Sequence, residues 1–182
     1  MGLRNTSLEY GALAKALHWI VAIGIFVLIY YGLLQDDMDK GAARDEVRFI
    51  HASIALAVFV LMAIRVAWRF LNPVPEHPAG TPALQKLAAD LAHWGLYVVV
   101  FVQLLSGMLI VATGGKPLPF FGLFSIPLPV AENHDLHEVF EEVHEVTWIL
   151  LAVLVAAHVL GALYNHFVLK NDVLRRMTHG VK

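Results

Sequence analysis

Residues Ala16–Leu34 read ALHWIVAIGIFVLIYYGLL, an apolar run that contains no aspartate, glutamate, lysine or arginine. Three further apolar runs follow, at Phe49–Leu71, Leu91–Thr113 and Val146–Leu169. About 20 helical residues cross the hydrocarbon core of a bilayer, and only a helix pairs the backbone groups of a single segment there. The four runs therefore predict an all-α fold, a transmembrane four-helix bundle, with residues 1–182 forming a single domain.

The composition agrees with a membrane protein and narrows its chemistry. Hydrophobic residues make up 58% of the chain, charged residues 15%, and the mean hydropathy is +0.65. An ordinary soluble domain is about 45–50% apolar and about one quarter charged. The chain has no cysteine, which excludes disulfides, thiolate zinc sites, iron–sulfur clusters and covalently attached haem. A metal would have to be held by histidine, methionine or carboxylates, so the ten histidines need an explanation.

Basic residues are distributed unequally between the two ends of the predicted spans. The N-terminus, second loop and C-terminus hold nine of the 13 basic residues, and the first and third loops hold four. Because positive loops stay in the cytoplasm, we expect a multi-pass membrane protein with both termini cytoplasmic. The first run is too long for a signal peptide and lacks a cleavage site, so we interpret it as a retained span. The nine residues are Arg4, Lys15, Arg65, Arg69, Lys86, Lys170, Arg175, Arg176 and Lys182, and the four are Lys40, Arg44, Arg48 and Lys116.

Histidines occur inside or beside all four spans. Polar side chains cost free energy in a membrane unless they have partners, so they mark functional sites by default. For any single histidine, a hydrogen bond to a carbonyl of a neighbouring helix is the ordinary alternative. The histidines are His18 in the first span, His51 in the second, His93 in the third, and His144, His158 and His166 in or beside the fourth.

The spacing of these histidines predicts two pairs. Because consecutive spans run in opposite directions, His18 lies near the cytoplasmic face and His51 near the outer face. His144 and His158 are 14 residues apart, so they share nearly one helix face and lie about 21 Å apart along it. The pairs His18/His158 and His51/His144 can then form at two depths. Opposed imidazoles inside a bundle suit bis-histidine haem, whereas zinc needs three or four clustered ligands, so we expect two haem groups.

Two arginines of the second span support this arrangement. Arg65 follows His51 by 14 residues, which places it on nearly the same face at the depth of the cytoplasmic-side haem, and Arg69 is one turn further. A guanidinium can pair with haem propionates or with a quinone carbonyl, although snorkelling toward lipid headgroups is an equal alternative. His93 lies beside the same region, where a proton-donating role and a structural role are both open.

Residues 132–145 form an acidic stretch with histidines at helical spacings. We expect this stretch to extend the fourth helix beyond the membrane. His137 and Glu141 are one turn apart, as metal ligands can be, but a solvated acidic face is the simpler interpretation.

An ordered set of short motifs covers nearly the whole chain. In chain order they are Lys15 with His18-Trp19, His51 with Ser53, Arg65-x-x-Trp68-Arg69, His93 with Leu96-Tyr97, Ser106-Gly107, His144-Glu145, His158, and His166-Phe167 with Lys170 and Leu174-Arg175-Arg176-Met177. No one motif is decisive, but the set with its spacings resembles the bacterial cytochrome b561 family of four-helix, dihaem membrane cytochromes. The resemblance implies two haem b groups, held by His18 and His158 on the cytoplasmic side and by His51 and His144 on the outer side. It also implies electron exchange with ubiquinone, and one branch of the family oxidises superoxide at the outer face.

The resemblance therefore implies an oxidoreductase of the respiratory chain in the bacterial inner membrane. Electrons from an outer-face donor, with superoxide as one candidate, would cross two b haems to ubiquinone near the cytoplasmic face. The alternative is a cytochrome b anchor subunit that takes electrons from a docked peripheral dehydrogenase or hydrogenase, since acidic outer loops suit a basic partner. Membrane lipid is a further expected partner, and no nucleic acid is expected. The residues predicted to contact haem propionates or quinone are Lys15, Arg48, Arg65, Arg69, His93, Asn165 and His166.

The chain departs from the family pattern at three positions. Ala55 stands where members usually carry glycine, Gln103 where many carry proline, and Asn165-His166 where many carry two histidines. A side-chain amide neither takes up nor releases a proton near neutral pH, so the last departure bears on quinone protonation rather than on haem binding. Superoxide also meets an electrostatic objection, because the outer loops hold eleven of the 15 acidic residues and a negative surface repels an anion. Only a local basic patch near the outer haem would reverse this repulsion.

Overall fold

Four long helices form most of the chain. The computed structural model describes residues 2–180, and Met1, Val181 and Lys182, the last of these counted among the basic residues above, lie outside the described part. The helices are α1 (Ala12–Asp36), α2 (Ala42–Leu71), α3 (Ala83–Thr113) and α4 (His134–Phe167). Each is long and apolar enough to cross a membrane. The predicted fold class, a transmembrane four-helix bundle, is confirmed.

Each helix begins before its apolar run, because hydropathy detects the residues that suit lipid and does not detect the polar residues that are also helical. The largest difference is at α4, which begins at His134, so the acidic stretch does extend this helix as predicted. Asn133 caps its first turn, since the Asn133 side-chain oxygen accepts a hydrogen bond from the backbone N–H of Leu136 at 2.9 Å. The predicted fourth run ended at Leu169, whereas α4 ends at Phe167, shortly before Lys170 adopts a positive φ of 52°.

Two small elements were not predicted from the sequence. An antiparallel hairpin, β1 (Leu118–Phe120) and β2 (Phe124–Ile126), lies in the third loop, and a short helix, α5 (Val173–Met177), follows α4. The hairpin turns at Phe121 and Gly122, which both have positive φ, 48° and 73°. Turns of this kind usually carry Asn-Gly or Asp-Gly, and Phe-Gly does not match that signature.

The described residues divide into two compact units. The first unit consists of the segments up to Trp19, Ile64–Val100, and Ile149 onward. Its N-terminal segment is fixed by the buried Asn5, which accepts a hydrogen bond from the Gly11 N–H and donates one to the Pro73 carbonyl, both at 2.9 Å. The Trp19 indole donates to the Met177 carbonyl at 3.0 Å, which ties α5 into the same unit.

The second unit consists of Ile20–Ala63 and Phe101–Trp148. Here α1 and α2 approach closely at Gly24, where a Cβ atom would come within 2.6 Å of a methyl group of Val58. Phe59 of α2 and Phe101 of α3 meet edge to face, with ring centroids 5.9 Å apart. Ser53 of α2 is fully buried, and its hydroxyl accepts a hydrogen bond from the Phe121 N–H, which joins the hairpin to this unit.

Candidate functional site

A histidine pair lies in the first unit, where α1, α3 and α4 meet. The ring centroids of His18 and His158 are 6.1 Å apart, with the ring planes inclined by 60°. His93 of α3 joins this pair, because its ring centroid lies 5.4 Å from that of His158. The structure therefore brings together the two histidines that the spacing paired, and it places His93, which was expected in the same region, in contact with them.

The two arginines of α2 lie beside this pair, among aromatic rings. The Arg65 guanidinium lies 5.8 Å from the ring centroid of Tyr97 and donates to the Ala14 carbonyl at 3.4 Å. The Arg69 guanidinium lies 5.4 Å from the ring centroids of both Trp94 and Tyr97. Stacking on aromatic faces stabilises a cation in an apolar setting, so both guanidinium groups have favourable partners on α3.

A cavity of about 130 Å³ opens next to these residues within the first unit. Predicted residues Arg69, His93 and Asn165 line it, together with Tyr10 and Gln85, which sequence reasoning missed. Tyr10 precedes α1, and burial raises the pKa of its phenol above the ordinary value of 10.0, against the opposing effect of the Arg69 charge. The cavity therefore combines the guanidinium of Arg69 with a phenol that stays protonated at neutral pH.

The remaining residues predicted to contact propionates or quinone are placed as follows. Lys15 is buried, with 6% of its surface exposed, near the start of α1. His166 packs against Phe167, with ring centroids 4.8 Å apart, and is not among the described residues that line the cavity. Arg48 is exposed on α2, three residues before His51.

The second histidine pair lies in the second unit. The ring centroids of His51 and His144 are 6.5 Å apart, with the planes inclined by 73°. His51 Nδ1 is buried and has no hydrogen-bond partner among the described residues. Unpaired buried polar atoms are costly and call for an explanation, such as a missing ligand atom.

His144 is held on three sides by α3. Its Nδ1 lies 3.0 Å from the Gln103 carbonyl oxygen and 3.1 Å from the Ser106 hydroxyl, and its Nε2 lies 2.9 Å from the Gln103 amide nitrogen. The Gln103 amide oxygen in turn accepts a short hydrogen bond from the Thr147 hydroxyl. A Cβ atom at Gly107 would lie 3.0 Å from His144 Cε1, so a larger residue there would require the ring to shift by a few tenths of an ångström.

The residues present fit an iron porphyrin held by two imidazoles. A metal–nitrogen bond of about 2 Å on either side, plus half the width of each ring, requires imidazole centroids about 6 Å apart. The two pairs show 6.1 and 6.5 Å. Among residues 2–180, no three side chains of His, Cys, Asp or Glu gather closely enough to hold a metal by themselves. Each pair thus offers two axial ligands, and a porphyrin would have to supply the rest. Two residues of the acidic stretch are separate from these two pairs. There, His137 Nε2 lies 3.3 Å from a carboxylate oxygen of Glu141, one turn further along α4.

Comparison with known proteins agrees with this geometry. A family model described as prokaryotic cytochrome b561 matches residues 9–180. "Cytochrome b561 homolog 2" of Escherichia coli is 31% identical over 180 residues, which cover 97% of this chain and 95% of the relative. "Cytochrome b561 homolog 1" of the same organism is 32% identical over 165 residues, covering 88% and 92%. The "Probable superoxide oxidase CybB" of Yersinia pestis is 27% identical over 172 residues, covering 93% and 95%. The chain therefore belongs to the prokaryotic cytochrome b561 family, and this membership implies that it binds haem b.

Proposed function

We propose that the chain is a dihaem membrane cytochrome b that carries electrons from a donor on the side of the first and third loops to ubiquinone on the side of the termini. The observation that carries this proposal is the presence of two histidine pairs, one in each unit, with ring centroids 6.1 and 6.5 Å apart. Haem b bound at such a pair supplies one-electron oxidation and reduction at iron.

The protein's own contribution is to hold the axial ligands and to balance charge. His18 and His158 would hold one haem, and His51 and His144 the other. The Gln103 carbonyl, 3.0 Å from His144 Nδ1, would fix the ring orientation and leave Nε2 for the metal. Arg65 and the buried Lys15 place positive charge beside the first pair, where propionate groups would need it.

We place the ubiquinone headgroup in the cavity lined by Arg69, His93 and Asn165. Arg69 is the donor best suited to a quinone carbonyl, because its guanidinium is fixed by two aromatic rings. The Asn165 oxygen already accepts hydrogen bonds from Asn171, at 2.7 Å, and from Gln85, at 3.5 Å. Asn165 therefore organises the wall of the cavity and does not replace a proton donor.

Protons for quinone reduction would enter through two other side chains of the cavity, His77 and Asp90. His77 and Asp90 line the same cavity and lie 3.2 Å apart, and both side chains are partly exposed. Reduction of one ubiquinone consumes two electrons and two protons, so two one-electron donations complete one turnover. The pair can supply protons from solvent where the amide of Asn165 cannot.

Superoxide is the donor that we would test first, because one relative carries the name probable superoxide oxidase. Each superoxide would release one electron and leave as oxygen. Arg44 and Arg48 support this choice, since they lie two turns and one turn before His51 on α2 and present positive charge there. The Arg44 Nε atom is buried and has no hydrogen-bond partner among the described residues.

The first experiment measures haem content. We expect two haem b groups per purified chain, and we expect His18→Ala and His51→Ala each to remove a different component of the reduced-minus-oxidised spectrum. His179→Ala, at an exposed tail residue, is the matched control and should retain both. If both substitutions removed the same component, the pairing would be wrong.

The second experiment measures quinone reduction by enzymatically generated superoxide in proteoliposomes. Arg69→Leu should raise the KM for a soluble ubiquinone analogue about tenfold, as expected for the loss of one charge-assisted hydrogen bond, and keep both haems. Arg175→Leu, at an exposed arginine, should change neither. A purified chain that reduces quinone only with a co-purifying peripheral subunit would instead show an anchor subunit.

We place the protein in the bacterial inner membrane with both termini in the cytoplasm, on the strength of its charge distribution. The natural chain has no cysteine, so single cysteines report their own location. A membrane-impermeant maleimide added to spheroplasts should label Lys116→Cys and should not label His179→Cys. The reverse pattern would invert the proposed direction of electron flow.

A further inference from the structure

The hairpin of the third loop contacts α2 at a residue of its apolar run. The Phe121 N–H, at the hairpin turn, donates to the Ser53 hydroxyl at 3.0 Å. Ser53 is completely buried. The turn is therefore bonded to α2 inside its apolar run, near the start of that run at Phe49.

The depth of this contact follows from the sequence of α2. Arg48 is the last charged residue before the apolar run that begins at Phe49, and Ser53 lies five residues further along the helix. Five residues correspond to about 7.5 Å along a helix axis. The tip of the hairpin thus reaches below the level at which α2 becomes apolar.

The composition of the hairpin matches this depth. Residues 117–131 contain no charged side chain. The side chains at the tip are nevertheless exposed, by 77% at Leu123, 54% at Phe124 and 47% at Phe121. Phe49 of α2, one turn before Ser53, is likewise 40% exposed.

The backbone of the hairpin is adapted to a shallow position. The two strands pair with each other from Leu118↔Ile126 to Phe120↔Phe124, the Leu123 N–H donates to the Phe120 carbonyl, and Ser53 satisfies the Phe121 N–H. Unpaired backbone groups cost several kcal/mol in the hydrocarbon core. Exposed strand edges remain, so the boundary between headgroups and acyl chains suits the hairpin better than the centre of the bilayer.

We propose that residues 117–131 form a re-entrant hairpin whose tip, Phe121–Phe124, inserts into the lipid leaflet on the side of the first and third loops. Its partner is the upper acyl-chain region of that leaflet. The proposal depends on the membrane-spanning fold and on neither haem nor quinone. The hairpin would fix the depth of the second unit in the bilayer through three apolar side chains.

Site-directed spin labelling tests this directly, because the chain has no cysteine of its own. A nitroxide at Leu123→Cys, in holoprotein reconstituted into phosphatidylcholine vesicles, should be relaxed strongly by oxygen and weakly by a water-soluble nickel chelate. The matched control is Lys116→Cys, an exposed position of the same loop outside the hairpin, which should show the opposite preference. We expect the oxygen-to-nickel ratio to differ several-fold between the two sites.

Two results would overturn the proposal. A ratio at Leu123 equal to that at Lys116 would place the tip in water, and low accessibility to both reagents would show that protein covers it. A second variant guards against local misfolding: Leu123→Asp should lower the midpoint of thermal unfolding in vesicles and leave the midpoint in short-chain detergent nearly unchanged. Equal shifts in both media would also contradict lipid insertion.

Discussion

The side-chain amide nitrogen of Gln103 lies 2.9 Å from Nε2 of His144, the ring atom that would face a haem iron. The same amide accepts a hydrogen bond from Thr147 through its oxygen, so it is held from both ends. Under the proposed function, in which His144 holds a haem, Gln103 would compete for the lone pair of this nitrogen and its side chain would have to turn away.

This relationship predicts the effect of Gln103→Leu on haem affinity. Loss of a hydrogen bond worth about 1 kcal/mol from the unloaded state should increase the affinity of the His51/His144 site about fivefold. Haem titration of the haem-depleted protein, followed by absorbance, measures this change. The His18/His158 component should titrate as before, and an unchanged affinity at both sites would show that the amide does not compete.

Gly107→Ala should perturb the same site by steric means. The new Cβ would meet His144 Cε1 at 3.0 Å, and overpacking of this kind costs about 1–3 kcal/mol. We expect a shifted or lost absorbance component for His51/His144 only. Gly95→Ala on the same helix is the matched control, because its Cβ would lie an ordinary 3.7 Å from Leu154. A spectrum altered equally by both substitutions would mean that α3 tolerates no added methyl group at all.

Ser53→Ala should loosen the hairpin. The Phe121 N–H would lose its acceptor, and a buried donor left without a partner costs about 1–3 kcal/mol. Hydrogen exchange in detergent should then show faster exchange at Phe121, with haem content unchanged. Ser125→Ala, at an exposed residue of β2, serves as the control and should leave exchange at Phe121 as it is.

Tyr10 should ionise at a higher pH than an ordinary tyrosine. Burial raises the pKa of its phenol above 10.0, so the folded protein loses stability as the pH rises through and beyond 10. The difference between the phenolate absorbance titrations of the natural protein and of Tyr10→Phe isolates this group. A midpoint at or below 10.0 would show that Arg69 outweighs burial.

Hydropathy predicted the four long helices well because each of them needs about 20 predominantly apolar residues to cross the hydrocarbon core. The spacing of His144 and His158 also predicted their partners, since each helical residue advances about 1.5 Å along the axis and the separation in sequence therefore gives the separation in depth. Spacing along one helix says little about lateral contacts between helices, so the sequence placed His93 in the right region but did not predict that its ring contacts His158, or that Gln103 contacts His144. The hairpin was missed because Phe121 adopts a positive φ that its side chain disfavours.

The two hydrogen bonds of the buried Asn5 side chain make the cavity sensitive to changes near the amino terminus. Asn5 holds Gly11 and the Pro73 carbonyl, and Tyr10, one residue before Gly11, lines the cavity assigned to the quinone. A leader tag or a shortened start that displaces Asn5 would thus loosen a wall of that cavity at a distance of five positions in the chain. Kinetic work should begin from an untagged amino terminus.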